Sequence, residues 1–258
     1  MTDDLDVSPR RGWADSHVHL QWEDMGDEAV VAARAEGVSL MICVGTGAQT
    51  SREAVELASR HHDVWATVGL HPHDASEGLA ELAPLWDAAR VVGVGECGLD
   101  YHYEHSPRDR QREVFAGQIR LAHELDRTLV IHTREAWDDT FAVLAESKVP
   151  PRTVFHCFTG GPQEDTRALD IGAWLSFSGI VTFKGAADVA AAAALCPAES
   201  LLIETDAPYL SPAPFRGQPN RPGRVARVGE VVADIRATSV DEIRELTREN
   251  TRRAFAIR

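Results

Sequence analysis

The side chains best suited to chemistry in this chain are His17, His19, Glu96, His132, His156 and Asp206. Imidazole and carboxylate are the donors that divalent metals take from proteins. The densest group lies in ADSHVHLQ, residues 14–21, where Asp15, His17 and His19 occupy alternate positions. On a strand, alternate side chains share a face. One histidine or glutamate at a strand end is usually no more than a hydrogen-bonded polar residue, but six such donors converging on one place make a metal site. A single ion rarely takes six ligands of this kind, so two ions sharing a carboxylate fit better. His17, His19 and Asp206 would hold one, His132 and His156 the other. Glu96, with two oxygens, is the natural bridge. Cys97 and Cys157 adjoin Glu96 and His156, but alternation turns them toward the helices, where small buried hydrophobes belong.

Convergence of donors so far apart in sequence requires a fold that gathers strand ends. Eight β-rich runs begin at residues 13, 39, 64, 91, 128, 152, 173 and 201 and alternate with segments of helical pattern. Eight such units close a (β/α)8 TIM barrel, and the donors fall at or near the C-terminal strand ends, where barrel enzymes build their sites. Ser106-Pro107 ahead of Asp109 reads as a capped helix start, followed by a stripe of Phe115, Ile119 and Ala122. Ser239 with Glu242 forms a capping box that opens a closing helix carrying Val240, Ile243 and Leu246. AADVAAAAALC, from 186, is alanine-rich and reads as helix. The expected organisation is a flexible extension over 1–11 and one barrel domain over 12–258.

Composition narrows the function. A formal net charge of −14 argues against a general coat for duplex DNA or for an anionic membrane, so any nucleic-acid contact must be local. The four cysteines form no CxxC pair, which fits a reducing, cytoplasmic setting. Arg10-Arg11 is followed by no apolar run, and no stretch approaches the roughly 18 apolar residues of a membrane span. The mouth nevertheless gathers cations. Residues 207–229 carry Arg216, Arg221, Arg224 and Arg227 with no acid, in the region after strand 8 where this fold binds phosphate. Some of these arginines are expected to serve helix ends or surface pairs. Arg134 shares the face of His132, and Lys184 follows strand 7. His71 and His73, in GLHPHDA, read as substrate contacts, with further ligation or simple rim hydrogen bonding as alternatives. Metals with cations suit phosphodiester hydrolysis. Asp206 would bind a metal and orient or deprotonate the attacking water, with Glu96 as its catalytic partner. No GxSxG elbow or P-loop offers a competing mechanism.

Several ordered motifs extend this reading. DSHVHL, GLHPH, VGECGLDYHY, VIHTREA, VFHCFTGG, LLIETDAPYLSP and ELTRENTRRAF together resemble the TatD family of metal-dependent deoxyribonucleases, within the amidohydrolase-like barrels. The resemblance implies a two-metal site at the same six residues. It also implies DNA hydrolysis, commonly 3′-to-5′ and with magnesium, linked to DNA repair or to DNA breakdown in cell death. Related barrels can bridge their metals with a carboxylated lysine, but neither Lys148 nor Lys184 lies on strand 4 or 5, which leaves Glu96. FRGQPNRPGR departs from the family's Arg-Asn-Glu-Pro stretch. Asn220 and Pro222 remain, with Arg221 where an acid is common, and Asn220 joins the expected substrate contacts. The expected cofactors are two divalent ions, Mg2+ for DNase activity, with Zn2+, Mn2+, Ni2+ or Fe as ions the site would accept. The expected partner is DNA or another phosphodiester at the barrel mouth, with no membrane and no required protein partner evident. The same metals could instead hydrolyse a small ester, amide or aminoacyl-nucleic-acid bond. A non-catalytic binding protein is the remaining alternative, and the complete donor set speaks against it.

Overall fold

The structure is a computed structural model and describes residues 12–22 and 25–258. The extension expected at 1–11 lies outside the described residues. Eight parallel strands pair in sequence order, each with the next. They are β1 (Trp13–Val18), β2 (Val38–Val44), β3 (Val64–Val68), β4 (Val91–Asp100), β5 (Thr128–Arg134), β6 (Thr153–Phe155), β7 (Trp174–Phe177) and β8 (Leu201–Ile203). Around them run α1 (Gly26–Ala35), α2 (Ala48–Arg60), α3 (Arg108–Glu124), α4 (Trp137–Ser147), α5 (Pro162–Asp170), α6 (Ala187–Leu195), α7 (Val225–Ile235) and α8 (Val240–Ala254). This is the expected (β/α)8 barrel. No helix of the described residues is long and apolar enough to cross a membrane.

Alternation along the strands creates two apolar layers. Ala14, Leu40, Ile42, Val92, Val130, Val154 and Leu202 form one buried cluster, with Trp65 and Trp174 packed against it, so every strand contributes. Residues from all eight strands can meet only inside a closed sheet, which places this cluster in the interior. Phe255 and Ile257, just past α8, join it and are 1% and 7% exposed. The larger layer lies between the outer strand faces and the helices. Filling both leaves the strand exits as the polar end, where the fold can afford histidines and carboxylates.

Local departures from the sequence pattern have local causes. Between β3 and β4 there is no α-helix but two 3-10 turns, Pro72–Glu77 and Ala80–Leu85, with Pro72 and Pro84 inside them; proline withholds an amide that an α-helix interior needs. Ser106 does not cap α3. Pro107 holds that position, and the Ser106 hydroxyl donates to the His73 carbonyl at 2.7 Å. Ser239 does cap α8, accepting from the Glu242 amide at 3.2 Å, and Ile243 is buried while Val240 is exposed. The alanine-rich run is α6. β6 stops at Phe155, because Cys157 turns to φ +43 and ends the extended backbone.

Candidate metal centre at the strand exits

Three pieces of backbone bring the donors together. The exits of β1 and β8 are stitched by the Asp206 amide donating to the His17 carbonyl at 3.0 Å and the His19 amide donating to the Ala207 carbonyl at 2.9 Å. Asp206 therefore sits beside both histidines. A register shift between Asp15 and Val18 breaks the simple alternation of β1. Asp15 consequently does not join His17 and His19. Its carboxylate is fully buried and accepts from the Thr205 amide at 2.9 Å and from the Thr205 hydroxyl. Burial raises its carboxyl well above the ordinary range, against the bonds from Thr205. β4 lies flush against β5 because Gly98, at φ +129, pairs with His132, and a Cβ there would strike the His132 carbonyl.

Glu96 is the centre of the arrangement. Its Oε2 faces His17 Nε2 at 3.4 Å and His19 Nε2 at 3.8 Å. Its Oε1 faces His156 Nε2 at 2.9 Å, His132 Nδ1 at 3.1 Å and His71 Nε2 at 3.4 Å. Asp206 Oδ1 lies 3.3 Å from His19 Nε2 and 3.7 Å from His17 Nε2. Burial works to raise the Glu96 carboxyl, but the charge of His156 and bonds from His132 and His156 hold it well below the usual carboxylate range. Burial likewise opposes ionisation of Asp206, and His19 and His17 outweigh it. Both carboxylates are thus ready to act as anionic donors.

The outer ring nitrogens decide which histidines have a lone pair to offer. His19 Nδ1 lies 2.9 Å from the Val44 carbonyl, and a carbonyl only accepts, so Nδ1 carries the hydrogen and Nε2 is free. His156 Nδ1 donates to Glu204 Oε1 at 3.2 Å, so in the neutral ring that an ion would require Nε2 is the free nitrogen. His132 Nε2 donates to Asp100 Oδ2 at 3.2 Å, so in its neutral ring Nδ1, toward Glu96, is the free one. A ligating histidine characteristically gives its other N–H to a carboxylate or carbonyl. His17 is fully buried, and neither of its ring nitrogens has a hydrogen-bond partner. A divalent ion at its Nε2 would satisfy that orphaned atom. Groups able to hold an ion are His17–His19–Glu96, His17–His156–Glu204 and His71–Glu96–His132.

His71 differs from the others. Its Nδ1 accepts from the His73 amide at 3.2 Å, so in the neutral ring the hydrogen is on Nε2 and points at Glu96. Burial pushes His71 down to about 4, against the Glu96 charge, which keeps the ring neutral. It lies inside the cluster, against Glu96, and not on the rim. His73, nearer the rim, is held by Asp100 Oδ2 at 3.0 Å.

The sequence reading missed Glu204 and Asp100. Both are buried and both orient histidines; Glu204 also accepts from the Cys157 amide at 2.7 Å. Glu204 lies two residues before Asp206 in LLIETD, and that alternate spacing was the available signal. Cys157 does not turn to the helices. Its thiol lies 3.3 Å from the Ser178 hydroxyl, and burial with the nearby Asp206 and Glu204 charges pushes it well up. Cys97 is buried as expected.

The cation loop is mostly committed to structure. Arg224 is buried against Ser211, the Pro219 carbonyl and Gln218. Arg227 bonds the Ala213 carbonyl and Glu230, and Arg221 pairs with Glu36. Asn220 is also turned inward, contrary to expectation. Its Nδ2 donates to the Thr205 carbonyl and its Oδ1 accepts from the Arg221 amide, both at 2.9 Å, which leaves little of the amide for a substrate. Arg134, Lys184 and Arg216 are exposed and make no ion pair with a described residue; Arg216 stacks on Phe183 at 3.8 Å.

A parallel barrel with histidines and carboxylates gathered at its strand exits defines the metal-dependent hydrolase class. Within that class, the chain belongs to the TatD-related DNase family, whose model matches residues 14–256. It is 38% identical over 251 residues to YabD of Bacillus subtilis, an uncharacterized metal-dependent hydrolase, covering 94% of this chain and 98% of that protein. It is 37% identical over 244 residues to the 3′-5′ ssDNA/RNA exonuclease TatD of Pantoea ananatis, covering 90% of this chain and 93% of that one. Among solved structures it resembles YjjV, a TatD homolog from Escherichia coli K12, with a TM-score of 0.90 at 31% identity over 97% of this chain and 100% of that one.

Proposed function

We propose that this protein is a 3′-to-5′ exonuclease that hydrolyses phosphodiester bonds of single-stranded DNA, using two divalent ions held on either side of Glu96. The observation that carries this reading is the division of labour at Glu96, where Oε2 faces His17 and His19 while Oε1 faces His132 and His156. His17, His19 and Asp206 would hold one ion with Glu96, and His132 and His156 the other. When bound, the ions supply a nucleophile usable near neutral pH and offset charge on the phosphoryl oxygens. Asp206 has its side chain 12% exposed, which makes it the carboxylate of the cluster most open to the mouth. It is the group suited to orient the attacking water and accept its proton. Arg134, Lys184 and Arg216 are the cations left available for phosphates. The exonuclease named among the relatives supports the substrate class.

The test is degradation of end-labelled single-stranded DNA by metal-stripped protein given back Mg2+, Mn2+ or Zn2+, with Asp206→Ala as control. Stepwise shortening from the 3′ end that needs a metal and disappears in the variant is the expected result. No shortening with any ion would move the activity to a small ester, amide or aminoacyl bond.

A further inference from the structure

Exposed aromatic rings are unevenly distributed over the described surface. Six large apolar side chains stand exposed: Trp22, Val31, Tyr103, Leu195, Tyr209 and Val240. The three aliphatic ones lie on α1, α6 and α8, scattered around the outer ring. All three aromatic ones lie on loops leaving the strands at the mouth, after β1, β4 and β8.

These rings form two groups. Trp22 and Tyr209 meet edge to face at 5.9 Å, and Tyr209 reaches His19 at 6.1 Å. Tyr103 stacks on His105 at 5.6 Å with 5° between the planes, meets His73 edge-on at 5.6 Å, and carries the Arg134 guanidinium 4.8 Å from its ring. β4 and β8 are half a turn apart in the strand order, so the groups face each other across the mouth. The cluster histidines link them in an unbroken succession of ring contacts, with Glu96 beneath the middle.

A half-exposed aromatic face beside a hydrolytic centre accepts another flat ring, and every nucleobase has one. A protein of net charge −14 has no broad cationic surface with which to hold a polyanion, so its grip must come from elsewhere. Stacking would supply it, and the interior bases of a duplex, whose faces are already covered, could not use it. We propose that Trp22–Tyr209 and Tyr103–His105 are two base-stacking platforms that grip a single strand, one on each side of the bond to be cut. The location of that bond rests on the proposed nuclease reading; the stacking itself does not.

The test is fluorescence anisotropy of the manganese-loaded full chain with a labelled oligothymidylate whose phosphorothioate linkages resist hydrolysis, against an abasic strand with the same linkages. The base-bearing strand binds about ten-fold tighter or more. Trp22→Ala with Tyr209→Ala, or Tyr103→Ala, removes about ten-fold of that preference and leaves abasic affinity unchanged. Tyr209→Phe and Tyr103→Phe retain it. Equal affinity for the two strands, or variants that weaken both alike, overturns the platforms. Base preference in a protein that shortens no unmodified strand upholds the platforms and removes the nuclease reading; shortening without base preference does the reverse.

Discussion

The two halves of the cluster are held by different means. On the β5–β6 side, His132 and His156 each give their outer N–H to a buried carboxylate, Asp100 and Glu204. On the β1–β8 side, His19 gives its N–H to a neutral carbonyl and His17 to nothing. A carboxylate behind an imidazole fixes its orientation and strengthens it as a donor. Burial opposes protonation of His156, yet the charges of Glu96 and Glu204 raise it well above its ordinary value; burial lowers His17, and the charge of His156 pushes it further the same way. Under the two-ion reading, the β5–β6 half is built to retain its ion and the β1–β8 half, which also holds Asp206, to exchange ion and substrate.

Glu96 is the one residue both halves share, so its loss is the largest effect expected. Glu96→Ala lowers metal content at both positions and lowers activity by about a thousand-fold, the several kcal/mol that bound ions contribute to the transition state. Metal analysis by mass spectrometry beside kinetics on labelled DNA measures both. Loss at one position only would show two independent sites and not one bridged pair.

The gathering of the candidate donors could be read from sequence because they differ in type from what a strand exit needs for folding, and because DxHxH announces itself within six residues. The barrel was legible from period alone, since eight apolar runs admit few other closures. What supports the donors was less visible. Glu204 and Asp100 resemble any loop acid until the fold turns them inward. Asp15 and Cys157 were misassigned because parity was extended through a register shift and past the end of β6. Asn220 is turned inward against its expected role, and which of the loop arginines would serve structure could not be read, because composition cannot distinguish a cation facing substrate from one tied to a carbonyl.

The asymmetry of the two halves can be tested directly. Glu204→Gln and Asp100→Asn keep the side-chain size but withdraw the charge behind His156 and His132. Ion affinity on the β5–β6 side falls roughly 10- to 100-fold, while the β1–β8 side is unchanged. Chelator competition that resolves the two ions separates these outcomes. Equal weakening of both would mean that the second carboxylates support the whole mouth and not one side of it.

The smallest effect distinguishes a donor from a ligand on the β5–β6 side. His71 Nε2 lies 3.4 Å from Glu96 Oε1, farther than His132 or His156 but within the same cluster, and its Nδ1 is occupied by the His73 amide while its Nε2 carries the hydrogen. It therefore steadies the bridging oxygen. In His71→Phe both ions remain bound, and the tighter one weakens about five-fold, corresponding to one hydrogen bond of about 1 kcal/mol. Loss of a full equivalent of metal would require the opposite tautomer at His71, and with it a third histidine on the β5–β6 ion, so that the two halves would differ in ligand number as well as in what stands behind the ligands.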